Sequence, residues 1–389
     1  MNKACVVCAV VAVSTVFPQS TDSARIRRFE TQLEDLRRAL YIPGMSAAIV
    51  KDRSLLWAKG FGAADPERAV AAAADTNYRI ASLTKTFASM LLMQLVEEGK
   101  LNLDEKIATF SPRFGERFGE SATVRHVLSH TSQDPPGHQY RYDGNRFSYL
   151  SDVIEKVSGR TFREQLVRNI LDPLGMSGSV PGQDVLDDRV KWKGFLDSAH
   201  VTRYQAGLSR LATPHQLYGT SIVRTPYPPQ GISTAAGLVS NVLDLAKFDI
   251  AVDSHVMLTA ATQLDAWKAA VSSDGATLPY GLGWFSTRAS DLHLIWHYGY
   301  WPDSFSSLYL KVPRSNVSFI LLANSDALSA PFRLGNGDVM QSPFANTFVR
   351  MFAREAIQGR AGTDLEDAER RSQRLLTDWL AERRATKAK

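Results

Sequence analysis

Apolar positions along this chain follow a helical spacing through its middle and a strand-like spacing near both ends. Leu83, Phe87, Met90, Leu91 and Leu95 form the buried stripe of an amphipathic helix that starts at about Ser82 and stops at Gly99. Ile26, Phe29, Leu33, Leu36 and Leu40 mark a surface helix before it. Residues 45–50 and 55–61 are short apolar runs around Lys51-Asp52-Arg53-Ser54, which predicts a hairpin. Further helices are predicted over 124–130, 147–157, 162–170 and 234–252. Residues 177–231 are dense in turn formers, including Pro226, Pro228 and Pro229, and read as an irregular flap.

The pattern changes after Tyr280-Gly281-Leu282-Gly283-Trp284. Residues 292–297, 305–312 and 318–324 are strand-length apolar runs between short polar turns, the mark of an antiparallel meander, and 344–357 closes as a helix. Strands at both ends with helices between them predict an α+β fold: one antiparallel sheet built from both chain ends and flanked by helices, with an all-helical subdomain at about 81–275 inserted. The charged tail, 361–389, carries an apolar stripe of Leu365, Leu375, Leu376 and Leu380 and reads as a docked or partly loose helix.

Composition removes several classes of function. With 389 residues, 44% hydrophobic and 22% charged, the chain has a globular protein's core, which excludes fibre and general disorder. The net charge of +5 is scattered apart from a basic cluster at 382–389, so no basic stripe interleaved with aromatics offers a nucleic-acid groove. Both cysteines, Cys5 and Cys8, lie in an apolar run, 4–17, that follows Lys3 and precedes small polar residues. Residues 1–23 therefore read as a secretory signal peptide, and the protein is expected to be exported, periplasmic or secreted. The run is shorter than the roughly 20 residues of a membrane span, so the mature chain is expected to have no stable span and no cysteine chemistry.

The candidate chemistry begins at Ser82. As a helix N-cap it would be followed three residues later by Glu or Gln, but Lys85 stands there, where the helix dipole disfavours a cation. One helical turn apart, the two side chains share a face, and burial would lower the Lys85 pKa until the amine serves as base to the Ser82 hydroxyl. Ser82 is the only serine in the chain with a lysine three positions on. His126 with His130, and His293 with His297, have a metal-like spacing but no accompanying carboxylate ligand, so neither metal nor cofactor is predicted.

Ser82-Leu83-Thr84-Lys85, Tyr142-Asp143-Gly144 and His297-Tyr298-Gly299, in that order, resemble the three motifs of the serine β-lactamase and penicillin-binding-protein superfamily, nearest its class C β-lactamases, D-peptidases and esterases. The flanks agree: 123–132 is similar to the segment ending in His-Thr-Ser-Gly, 173–176 to a Pro-Leu-Gly-Met turn, and 280–284 to a Tyr-Gly-Leu-Gly-Trp strand. The resemblance covers roughly 24–357 and implies one hydrolase domain, 24–360, with its site between sheet and helices. It implies Ser82 as nucleophile, Lys85 and Tyr142 sharing acid and base work, and His297 binding a substrate carboxylate or polarising Tyr142. The backbone N–H groups of Ser82 and Tyr300 would form the oxyanion hole, with Gly144, Asn145 and Gly299 lining the substrate.

Three departures bear on substrate. Gly144 stands where most members carry Asn or Ser, though Asn145 would reach in by a one-residue shift; His297 replaces Lys, and Gln133 replaces Gly. The expected partner is a small acyl compound, an ester, amide or β-lactam, including peptidoglycan-derived ones. Esters are favoured because both polar anchors are weakened. The alternative is an inactive member that binds peptidoglycan or a protein partner.

Overall fold

Residues 45–50 are apolar but for the buried Ser46 because their strand is covered on both faces. A computed structural model describes residues 20–187, 195–229, 231–353 and 361–385. In it Gly44–Lys51 is strand β1, with Ala47 and Ile49 in one core and Ala48 and Val50 in the other. Asp52 and Arg53, both with left-handed φ (50° and 60°), turn the chain into β2, Ser54–Asp65. Strand β3, Val70–Ala71, lies beyond β2 at the sheet's edge.

Strand β4, Tyr78–Arg79, leads into the helical region. Within that region β5, His215–Tyr218, and β6, Ser221–Arg224, make a hairpin, while β7, Val239–Ser240, pairs with β4. The chain then returns through β8, Phe285–Ala289, β9, Leu292–Trp301, β10, Phe305–Val312, and β11, Val317–Ala323. The seven-stranded antiparallel sheet has the order β3-β2-β1-β11-β10-β9-β8. Pairing of β1 with β11, from Met45 opposite Ala323 to Lys51 opposite Val317, joins the two ends of the chain into one sheet.

One face of the sheet is covered by the helices Ser20–Ala39 and Pro343–Phe352, whose Phe29 and Phe348 rings sit 5.4 and 5.1 Å from Phe319 of β11. The tail docks alongside as the helix Ala361–Ala385, burying Ala368, Leu376 and Trp379. On the opposite face the helices Thr84–Glu97 and Val242–Asp253 meet through Phe87 stacked on Phe248 at 4.0 Å, and Phe248 meets Tyr309 of β10. The buried Lys311 ammonium of β10 also holds Asp249 at 2.5 Å and Asp253 at 2.9 Å, fixing the second helix against the sheet.

Several boundaries differ from the sequence reading. The predicted flap contains the helix Ser198–Ser209 and the β5–β6 hairpin; that helix buries only Tyr204 and Gly207, too little to leave a periodic signal. The helix predicted from 234 begins at Val242, because Asn241 caps it by accepting from the Asp244 N–H, and the residues before it are a turn at 234–235 followed by β7. Among its described residues the insert holds helices, irregular loops and the β5–β6 hairpin, and its β7 pairs with β4. The predicted helix over 147–157 is two, Gly144–Ser148 and Leu150–Ser158, and β8 escaped notice as a five-residue edge strand. Residues 1–19, most of the predicted signal peptide, and 354–357 lie outside the described residues. Among the described residues no helix is long and apolar enough to cross a membrane.

Candidate active site

Ser82 sits on a strained turn where β4 runs into the helix stripe. Ala81, just before it, has φ 49°, an uncommon conformation for a residue with a side chain, and a 3-10 turn over Ala81–Leu83 feeds the helix Thr84–Glu97. Neither the turn nor the helix has a side-chain cap, so Ser82 does not serve as an N-cap. The turn is pinned from the sheet: Ser307 of β10 donates to the Ile80 carbonyl at 2.8 Å. Gly299 of β9 lies so close that a Cβ there would stand 2.1 Å from the same oxygen. Glycine is required at 299 by this approach of strand to turn.

Lys85 is fully buried, and its Nζ lies 2.9 Å from Ser82 Oγ and 2.9 Å from the Ala235 carbonyl oxygen. Burial lowers its pKa from 10.5 to about 7, with Asp143 opposing the shift. Nζ donates to both oxygens as an ammonium; as a neutral amine that keeps its bond to Ala235 it would have a lone pair for the Ser82 hydroxyl proton. The Tyr142 and Phe147 rings lie 5.0 and 5.2 Å from Nζ, completing an apolar cup.

The Tyr142 hydroxyl is buried without a hydrogen bond of ordinary geometry. Burial, then the neighbouring Tyr298, pushes its pKa well above 10, with the nearby Ser82 hydroxyl acting in the opposite direction. It is therefore a neutral phenol near neutral pH.

The structure corrects the reading of His297 as a substrate-facing group. Its ring is fully buried; Nδ1–H donates to the Tyr298 carbonyl at 2.7 Å, so Nε2 accepts from the Tyr280 hydroxyl at 2.8 Å. Burial, then the nearby Lys85, holds its pKa well below 6.5. A neutral imidazole with both nitrogens occupied neither anchors a carboxylate nor, 6.2 Å from the Tyr142 ring, polarises that phenol. A Cβ on Gly144 would lie 3.9 Å from Lys85 Nζ, so this position opens onto the amine. Asn145 is exposed, and Tyr300 is exposed at the end of β9 next to Gly299.

A family model described as Beta-lactamase matches residues 27–340. The chain belongs to the beta-lactamase family. Protein flp of Staphylococcus aureus (strain MW2) is 24% identical over 351 residues, covering 78% of this chain and 64% of flp, so the chain spans about two-thirds of that relative's length. Among solved structures, D-amino acid amidase from Ochrobactrum anthropi SV3 aligns with a TM-score of 0.67 at 18% identity, covering 86% of this chain and 100% of that one. EstCE1, a hydrolase with promiscuous acyltransferase activity, aligns with a TM-score of 0.64 at 17% identity, covering 90% and 99%. Both structural likenesses bear on the fold alone.

In this beta-lactamase-family chain several site residues left no mark in the sequence. Ala235 contributes only a carbonyl, which any residue has; the sign was its place in the stretch after the flap. Thr234 fastens that stretch to the Tyr142 loop's helix by donating to the Phe147 carbonyl at 2.8 Å. Arg79, buried three residues before Ser82, donates to the Pro228 carbonyl at 2.9 Å and the Pro229 carbonyl at 2.5 Å, tying the flap to the nucleophile segment. The four paired histidines bind separate internal groups: His126 Nδ1 accepts from the Thr123 N–H and His293 Nε2 meets the Ser286 hydroxyl.

Proposed function

We propose that this chain is a serine hydrolase that turns over small, uncharged acyl esters through an acyl-enzyme on Ser82. The observation that carries the reading is Lys85 Nζ, buried and 2.9 Å from Ser82 Oγ, with a pKa of about 7. The neutral amine takes the Ser82 proton as Oγ bonds to the acyl carbon. The tetrahedral intermediate then expels the alcohol, which receives a proton from Tyr142, and water releases the acid by the reverse proton movements. The backbone at Ser82 and Tyr300 is proposed to supply the N–H groups that bind the oxyanion.

Substrate class follows from charge. A β-lactam or a D-peptide presents a carboxylate, and a site built for one carries a partner for it. Here His297 is neutral and occupied, and Gly144 has no side chain to meet a substrate amide. An activated ester needs only its carbonyl held at Ser82. The expected result is that kcat/KM for p-nitrophenyl butyrate exceeds that for a chromogenic cephalosporin by about a hundredfold or more. A cephalosporin value near about 10⁶ M⁻¹s⁻¹ with a far slower ester would overturn the ester preference. Absence of turnover and of fluorophosphonate labelling, with retained binding of peptidoglycan fragments, would overturn the hydrolase reading itself.

A further inference from the structure

His130 takes no part in the chemistry just described, yet it touches three consecutive residues of the Tyr142 loop. It is 2% exposed and has a left-handed backbone, φ 55°, a conformation that residues with a side chain seldom adopt. The turn is held by its own N–H on the Val127 carbonyl and by the Thr131 N–H on the His126 carbonyl, at 3.2 and 2.8 Å. From that turn the His130 carbonyl accepts the Arg141 N–H at 2.8 Å. Its ring packs on the Tyr142 ring, centroids 4.3 Å apart and tilted by 36°. Nδ1 accepts the Asp143 N–H at 3.1 Å.

The tautomer follows from that last bond. A backbone N–H can only donate, so Nδ1 carries no proton and the neutral ring is protonated on Nε2, which is buried without a partner. A ring present only to fill space would be better apolar, because an unpaired buried N–H is destabilising. The Tyr142 hydroxyl has no hydrogen bond of ordinary geometry, only the neighbouring Ser82 hydroxyl, so the ring is held chiefly by its backbone and its packing. Phe285 and Tyr298 also pack on that ring, at 6.1 and 5.6 Å, while His130 meets it at 4.3 Å and holds the backbone on either side of it. Tyr280 closes the opposite side, 4.8 Å from His130 and hydrogen-bonded to His297.

We propose that His130 is a positioning residue for Tyr142, holding the phenol in line with the leaving group by gripping residues 141 to 143 through its carbonyl, its ring face and Nδ1. The inference rests on the reading of Tyr142 as the proton donor. Its signature is dependence on the leaving group: p-nitrophenolate departs without a proton, whereas an alkoxide requires one.

The test compares an ethyl and a p-nitrophenyl ester of one acid. His130→Phe keeps a ring but loses the acceptor, and should lower kcat on the ethyl ester about a hundredfold, the loss that a misplacement of about 1 Å brings. KM should stay within about threefold and the p-nitrophenyl rate within about tenfold. His130→Asn tolerates the left-handed backbone and presents Oδ1 where Nδ1 stood, so it should restore most of the ethyl ester rate. Adding His130→Phe to Tyr142→Phe should cost little more than Tyr142→Phe alone. Should His130→Phe fail to fold, His130→Gly suits the same φ and should show the same selective loss. Equal losses on both esters, additive losses in the double variant, or no recovery in His130→Asn would overturn the proposal. If Tyr142→Phe spares both esters, the proton-donor reading falls; if Tyr142→Phe is selective and neither His130→Phe nor His130→Gly is, only the role of His130 falls.

Discussion

Ser82→Ala is expected to lower kcat by about a thousandfold or more while leaving thermal unfolding and far-UV circular dichroism unchanged. The two halves of that expectation rest on different observations. The chemical half follows from Ser82 Oγ lying 2.9 Å from the buried Lys85 Nζ, which would give the hydroxyl its base. The structural half follows because the Ser82 hydroxyl caps neither the 3-10 turn nor the helix. Removing it leaves Lys85 still bound to the Ala235 carbonyl, and the turn still pinned by Ser307 on Ile80. The measurement is turnover on the protein's best substrate together with mass-spectrometric mapping of a fluorophosphonate label. Activity within about tenfold of wild type, or a label on another serine, would remove Ser82 from the mechanism.

The sheet and the pairing of Ser82 with Lys85 were legible in the sequence for the same reason: each is written in side chains at a regular spacing. Strand β1 shows as an apolar run because both faces are buried, and Ser82 with Lys85 stands out because a lysine in a first helical turn breaks a local preference. Elements held by backbone groups or by surface contacts were not legible. Ala235 acts through a carbonyl, and the helix Ser198–Ser209 buries too few residues to impose a period. His297 shows a different limit. Its type and motif suggested a cation facing the substrate, but its state is decided by Tyr280, seventeen residues away in sequence, and by the carbonyl of its own neighbour Tyr298. His130 was visible as half of a metal-like pair and within the His-Thr-Ser segment, but not as a partner of the Tyr142 loop, which begins eleven residues further on with no periodicity connecting the two.

The wall formed by Tyr142, His130, Tyr280 and His297 also bears on the charge of the site. Burial, then the nearby Lys85, keeps both histidines neutral, with their pKa values well below 6.5. Lys85, which faces this wall over the Tyr142 ring, is the group whose protonation changes near neutrality. Burial lowers its pKa, and Asp143 opposes that shift. A single titrating amine beside the nucleophile ties catalytic rate and folding stability to the same proton.

Lys85→Met should therefore change both. The rate needs the neutral amine, so wild-type kcat/KM should fall on the acidic side of about pH 7, about tenfold for each pH unit further down, and level off above it. Lys85→Met, without a base, should lose about a hundredfold to ten-thousandfold in kcat and that pH dependence with it. Stability moves in the opposite sense. Because the folded pKa of about 7 lies below the ordinary 10.5, the unfolded chain binds the extra proton between those values, and wild-type stability should rise with pH across that window. Below about pH 7 both states hold the proton and the penalty for burying it is complete. Met fills the same volume without a charge, so the variant should unfold at higher denaturant than wild type at about pH 6, and the difference should shrink towards about pH 10. The Ala235 carbonyl loses its donor, which offsets part of the gain. Urea unfolding of the two proteins at several pH values measures the difference, and a rate profile with chemistry limiting measures the base. A wild-type rate flat from about pH 5 to about pH 9, or a stability difference that does not change with pH, would mean that Lys85 is not the buried, titrating base.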